Sequence, residues 1–171
     1  MSKTKQVSYL GILSALYVVC ALSLKVPMGV GNIALDLGYI VLTVACLLFG
    51  WKACIVGGVG AFLESLLFSA YGISYGWIVM NIIIGVFCGI VFTLIKKGTD
   101  KKLLHYLGCG GATIVGVLLG VAAKTIIECK LYSIPYAVKI PKSFVAFVID
   151  TAVMLVGLPL AFRMAKLVKK D

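Results

Sequence analysis

Six residues place polar chemistry where the rest of the chain has none: Asp36, Glu64, Asn81, Lys124, Glu128 and Asp150. Each interrupts or borders a run of apolar residues and glycine. Glu64 is the plainest case, standing in CIVGGVGAFLESLLFSA with almost nothing but apolar residues and glycine between Ala53 and Ala70. An acidic side chain at the centre of an apolar helix costs roughly 2.5–3.5 kcal/mol on insertion scales, so a cation, water or a bound ligand has to compensate. Carboxylates accept hydrogen bonds, an amide both donates and accepts, and Lys124 adds a positive charge. Such a set is suited to holding a small polar molecule. It is poorly suited to breaking one. No nucleophile–base pair is visible, no GxxxxGK[ST] loop is present, and the single His105 stands apart from the acids. The cysteines (Cys20, Cys46, Cys54, Cys88, Cys109, Cys129) form no CxxC and read as small buried hydrophobes. Neither a catalytic residue nor a metal site nor a cofactor is expected.

The elements that must position these residues follow from composition. Of 171 residues, 62% are hydrophobic and 13% charged, with a mean hydropathy of +1.13. Soluble domains have about 45–50% apolar and about 25% charged residues, so this is an integral membrane protein. The formal charge of +10 does not indicate nucleic acid, because the bases sit at the ends of apolar runs rather than on one face with interleaved aromatics. The first apolar run has no A-x-A cleavage site and reads as a span.

About 20 apolar residues cross a bilayer as a helix. Runs 6–24, 53–70, 76–96, 106–128 and 143–163 qualify, and 37–50 fits as a shorter, tilted or partly buried helix. The expected fold is therefore all-α, a single domain over 1–171 with six transmembrane helices. Pro27, Pro135 and Pro141 mark the longer loops. With the N-terminus inside, the cytoplasmic bases are Lys3, Lys5, Lys52, Lys96, Lys97, Lys101, Lys102, Arg163, Lys166, Lys169 and Lys170, eleven against the outer four of Lys25, Lys130, Lys139 and Lys142. The positive-inside rule then makes both termini cytoplasmic.

At 1.5 Å rise per residue, this orientation puts every strongly polar intramembrane group in the outer half. A pore or proton relay would string ionisable residues through the full thickness, whereas a cavity open outward and sealed below gives the pattern found. The alternative is a set of interhelical salt bridges, Lys124 with Glu128, Glu64 or Asp150, with Lys139 or Lys142 or a ligand supplying what one lysine cannot. Aromatics crowd the same side (Tyr71, Tyr75, Trp77, Tyr132, Tyr136), as an interfacial belt or as a stacking wall for a planar ligand. Loop 129–141, with Tyr132 and Tyr136, and loop 25–36, with Asn32 and Asp36, lie above the cavity and are expected to close over a ligand. Small-residue stripes (Gly57, Gly60 and Glu64; Asn81, Gly85 and Gly89; Gly116, Gly120 and Lys124) allow close helix approach.

Six spans with both ends inside, a loop entering helix 2, and the block LLFGWKACIVGGVGAFLESLLF together resemble the substrate-binding S components of energy-coupling factor (ECF) transporters. Phe49, Gly50, Gly57, Gly58, Gly60 and Glu64 loosely match that family's FG-x-x-x-G-x-x-x-G pattern and the acidic residue after it, with Trp51 where a proline is usual. The helix SYGWIVMNIIIGVFCGIVF resembles the family's fourth. The resemblance implies a non-enzymatic capture protein in the cell membrane. It would bind a vitamin-like molecule from outside between loop 1, helices 4–6 and loop 5. It would then dock through helix 1, by a small-xxx-small motif matched at Gly11 and Ala15, onto a transmembrane T subunit driven by two ABC ATPases. Acids, lysines and aromatics together suit a heterocycle such as a folate or pterin, deazaguanine, riboflavin, pyridoxine or thiamine, and pantothenate through Lys124, Lys139 or Lys142. A self-sufficient secondary transporter or channel, and a structural membrane subunit, are the competing readings.

Overall fold

The computed structural model describes residues 3–23, 26–27, 34–68, 73–98 and 102–168. Among these residues are six α-helices: α1 (Lys3–Ser23), α2 (Gly38–Phe49), α3 (Ala53–Phe68), α4 (Tyr75–Gly98), α5 (Lys102–Leu131) and α6 (Tyr136–Val168). A two-residue antiparallel ladder, β1 (Val26–Pro27) with β2 (Ala34–Leu35), precedes α2. The expected boundaries hold at α1 to α4 to within a few residues, while α5 and α6 are longer at both ends.

The helices alternate in direction, as their contacts show. Gln6 accepts a hydrogen bond from Lys52 Nζ at 2.8 Å, and Gly38 and Gly60 both press on the Tyr17 ring, so α2 and α3 form an antiparallel hairpin beside α1. Gly57 meets Asn81 and Gly85 meets Cys54, which makes α4 antiparallel to α3. Gly116 faces Cys88 and Gly120 faces Met80, placing α5 antiparallel to α4. Thr125 Oγ1 and Ser143 Oγ stand 2.7 Å apart between α5 and α6. We call the end where α2, α4 and α6 begin the upper end.

The short apolar run becomes the centre of the bundle. α2 packs against α1, α3, α4 and α6, and every residue from Val41 to Leu47 is buried. A helix apolar on all sides belongs inside protein, so α2 has no need to match the bilayer thickness. Its 12 residues end at Gly50, whose φ of +60° suits a residue without a Cβ. A single 3₁₀ turn, Gly50–Lys52, then leads directly into α3. Because so little interrupts α2 and α3, the described residues hold five stretches long and apolar enough to cross a membrane, with Gly38–Leu67 as one of them. The outward faces of α1, α3, α4, α5 and α6 carry exposed Val, Leu, Ile and Phe, the surface that lipid requires.

The structure corrects the expected lid at 129–141. α5 continues to Leu131 and α6 starts at Tyr136, leaving 132–135 as the connection. Its reversal uses Ser133 at φ +53°, and the Pro135 carbonyl accepts from the Val138 and Lys139 N–H groups to open α6. Pro141 does not end a helix. It sits near the start of α6, where one lost bond in a 33-residue helix is tolerated. Asp150 therefore lies 14 residues, about 21 Å, along α6 from its start.

Close approach between α3 and α4 depends on Gly85, where a Cβ would stand 2.7 Å from the Cys54 backbone. Gly111 on α5 has open space at the same point. Gly85→Ala is expected to lower thermal stability in detergent by the equivalent of about 1–3 kcal/mol, whereas Gly111→Ala should leave it unchanged or raise it. Equal melting temperatures for the two variants would contradict this packing.

Candidate functional site

The upper end gathers polar side chains from every helix. Asp36, 2% exposed, sits at the entrance to α2, where its Oδ1 accepts the Gly38 N–H at 2.7 Å. Tyr17 of α1 is fully buried, and its hydroxyl lies 3.4 Å from Asp36 Oδ2 and 3.2 Å from Asn81 Oδ1. Asn81, with no exposure at all, donates from Nδ2 to the Trp77 carbonyl at 2.9 Å. Three helices and the first loop thus meet around one phenol.

A second group adjoins the first. The Trp77 ring of α4 stands edge-on to Tyr39 of α2, with centroids 6.1 Å apart and planes at 72°. Lys124 Nζ lies over the Trp77 ring, 4.1 Å from its centroid, a cation–π contact worth about 0.5–2 kcal/mol. The charges of Glu128, Asp150, Lys139 and Glu64 all act on Lys124. Asp150 also feels Asp36, and the Tyr39 hydroxyl is directed toward it. Glu128 is ion-paired with Lys139 of α6 rather than with Lys124 one turn away, so a lysine near the start of α6 does supply part of the compensation the acids require. Gly76 makes room for this pair, since a Cβ there would meet Glu128 Cγ at 2.8 Å.

By hydrogen-bond geometry Trp77 Nε1 has no partner among the described residues, and Tyr39 Oη and Asp150 Oδ2, although directed at each other, complete no hydrogen bond. Tyr39 is fully buried and Asp150 is 3% exposed. Buried polar groups are nearly always satisfied, and an unsatisfied one costs about 1–3 kcal/mol. The Tyr39 and Asp150 side chains thus add a donor and an acceptor, and Trp77 a second donor, to a group that holds an aromatic surface and a lysine, chemistry able to bind a flat molecule that carries carbonyls and an N–H or O–H.

Of the residues named from sequence, the structure brings Asp36, Glu64, Trp77, Asn81, Lys124, Glu128 and Asp150 to this end. Tyr132 and Tyr136 stand apart, about half exposed, at the α5–α6 connection. Asn32 lies outside the described residues, as does Tyr71. Gly11 and Ala15 face outward on α1, opposite the buried stripe of Leu10, Ser14, Tyr17, Val18 and Ala21. Sequence reading missed Tyr17 and Tyr39. The available signal was periodicity, because Tyr17 falls on the i, i+4, i+7 face with Leu10 and Ser14, away from either membrane interface. An apolar crevice of about 360 Å³ on the flank of α4 and α5, lined by residues such as Ile83, Phe87 and Leu119, contains no polar group and is separate from this site.

The Tyr17 hydroxyl can be tested without disturbing its ring, which Gly38 and Gly60 grip closely. Tyr17→Phe should lower stability by about 1–2 kcal/mol, the cost of unpairing Asn81 and weakening the hold on Asp36. Tyr132→Phe should have no effect in the same thermal melt.

A family model described as the S component of ECF-type riboflavin transporters matches residues 1–166. No curated protein matches the chain well enough to count as a relative.

Proposed function

Since the chain belongs to the family of ECF-type riboflavin transporter S components, we propose that it captures riboflavin, or a heterocycle of similar shape and hydrogen-bonding pattern, from outside the cell. The observation that carries this reading is the set of buried, unsatisfied polar atoms on Tyr39, Trp77 and Asp150. The flavin ring system presents an imide N–H between two carbonyls, and its side chain presents hydroxyls. Asp150 would accept the N–H, while Trp77 Nε1, Tyr39 Oη and Lys124 would donate to carbonyls. Lys124 now covers the indole face at 4.1 Å, and a flat ring would take that face in its place. Glu64, Asn81, Glu128 and Asp36 would shape and hold this surface. Asn32 from the first loop, Tyr132 from the α5–α6 connection and Tyr136 from the start of α6 would contribute from above.

In this reading all six helices cross the membrane, the upper end faces outward, and both termini are cytoplasmic, in keeping with the excess of lysine at the lower end. No ATP-binding motif accompanies the ligand site, so uptake would draw on a T subunit and two ABC ATPases. The outward Gly11 and Ala15 face of α1 would be the docking surface, because small residues let a partner helix approach closely. The alternatives of a self-sufficient transporter and a purely structural subunit have no comparable support. The first would call for repeats or unwound midplane segments, and the second leaves the unsatisfied donors without a role.

Riboflavin fluorescence is expected to be quenched on adding the purified protein, and Asp150→Asn should weaken binding about tenfold, equivalent to about 1.4 kcal/mol. Absence of quenching by the wild type would reject riboflavin as the ligand. Gly11→Trp should abolish cellular uptake while leaving binding by the isolated protein intact. Loss of binding in that variant would instead make α1 part of the binding fold alone.

A further inference from the structure

The crevice on the flank of α4 and α5 is a second concave surface, which the polar site does not use. Among the residues that line it, Ile83, Val86, Phe87 and Ile90 come from α4 and Leu119 from α5. Phe87 turns onto α5 at Gly116, where a Cβ would lie 3.1 Å from its ring. The volume of about 360 Å³ falls within the roughly 300–1,000 Å³ of small-molecule sites. Nothing polar lines it, so the carbonyls and hydroxyls of a vitamin would go unpaired there. α4 is long and apolar enough to cross a membrane, and Ile90 and Leu119 are exposed on this flank, so hydrocarbon meets the crevice.

What sets this patch apart from the other apolar faces is the charge below it. Lys97 stands seven residues beyond Ile90 and fourteen beyond Ile83, close to two and four full helical turns. It therefore lies on the same line of α4 as the crevice, and it is exposed. The helical rise puts it about 10 Å below Ile90 and about 21 Å below Ile83. The charge of neighbouring Lys96 reaches Cys109 on α5, so the foot of the α4–α5 seam is basic. Half of a hydrocarbon core is about 15 Å. An acyl chain that starts at the level of Lys97 therefore ends between Ile90 and Ile83, inside the crevice.

We propose that this flank binds an anionic phospholipid of the leaflet at the lower end, with its phosphate at Lys97 and one acyl chain in the crevice. The inference does not depend on what the upper site captures. A lysine at the membrane surface attracts an anionic headgroup over a short range. The chain gains dispersion contacts from a concave wall that a smooth helix face does not offer. An apolar helix of another protein would also fill the crevice, but it would bring no anion to Lys97. Charge therefore favours the lipid.

Native mass spectrometry of the purified full chain in detergent tests this, with dioleoylphosphatidylglycerol or dioleoylphosphatidylcholine added. The anionic lipid is expected to be retained about fivefold more strongly, the effect of one lysine near the surface. Lys97→Gln should bring that ratio toward one, and Lys166→Gln at the lower end of α6 should leave it unchanged. Dihexanoylphosphatidylglycerol, with the same headgroup and chains too short to fill the crevice, should not compete. Leu119→Trp places a ring in the crevice from an exposed position and should cost retention of the dioleoyl anionic lipid without lowering the melting temperature. Equal retention of the two dioleoyl lipids by the wild type overturns the proposal, as does retention of neither. Equal loss in the Lys97 and Lys166 variants would mean diffuse attraction to a basic end, with no site. Competition by the dihexanoyl lipid, or unchanged retention in Leu119→Trp, would mean that the crevice takes no chain, and either result overturns the proposal.

Discussion

The Tyr17 hydroxyl, bonded to both Asp36 and Asn81, is the contact on which the upper end depends. It joins α1 to the entrance of α2 and to α4 inside the bundle, where all three residues are buried. The ring beneath it fixes two further elements, because Gly38 and Gly60 approach so closely that a Cβ at Gly60 would lie 2.5 Å from Cδ1. Low surrounding polarity strengthens each of these bonds and equally raises the cost of breaking one. The helix proposed to dock and the proposed ligand site therefore share a residue. The face of α1 that would meet a partner and the face that holds Asp36 and Asn81 are opposite sides of a single helix.

α5 illustrates how one periodicity performs two tasks. Gly116 and Gly120 let α4 approach, and Lys124 and Glu128 continue the same stripe upward into the polar group. The lower part sets the distance between the helices, and the upper part uses that distance to hold a cation against Trp77. A bulky residue at Gly120 would meet the Met80 carbonyl and would shift the site without touching it.

Much of this was legible in the sequence because a bilayer simplifies the problem. Apolar run length gave the helices, and the rarity of charge within those runs pointed to Glu64, Lys124 and Asp150. The short run at 37–50 read as marginal because length alone does not distinguish a poor span from a buried central helix. The α5–α6 connection was misread because proline and charge look like loop signals, whereas Pro141 is tolerated early in a helix and Lys139 has a carboxylate to meet. The tyrosines were missed for a related reason. A tyrosine near an apolar run suggests a membrane interface, and only the contacts of Tyr17 and Tyr39 reveal them as interior residues. Pairing between Glu128 and Lys139, in preference to Lys124 on the same helix, depends on a hairpin geometry that no local pattern encodes.

Gly11 lies on an exposed stretch of α1 with nothing within 4 Å of where a Cβ would be. Within a bilayer this open place would be filled by acyl chains, so a partner docking there as proposed would displace lipid rather than water. Lipid tails are as apolar as the helix, and association gains no hydrophobic driving force. Affinity for such a partner would then follow from how much better a helix packs on this face than a disordered acyl chain does. Membranes whose lipids pack well against this face would hold the two proteins apart, and those whose lipids pack poorly would drive them together. The composition of the bilayer would thereby regulate assembly without any change in either protein.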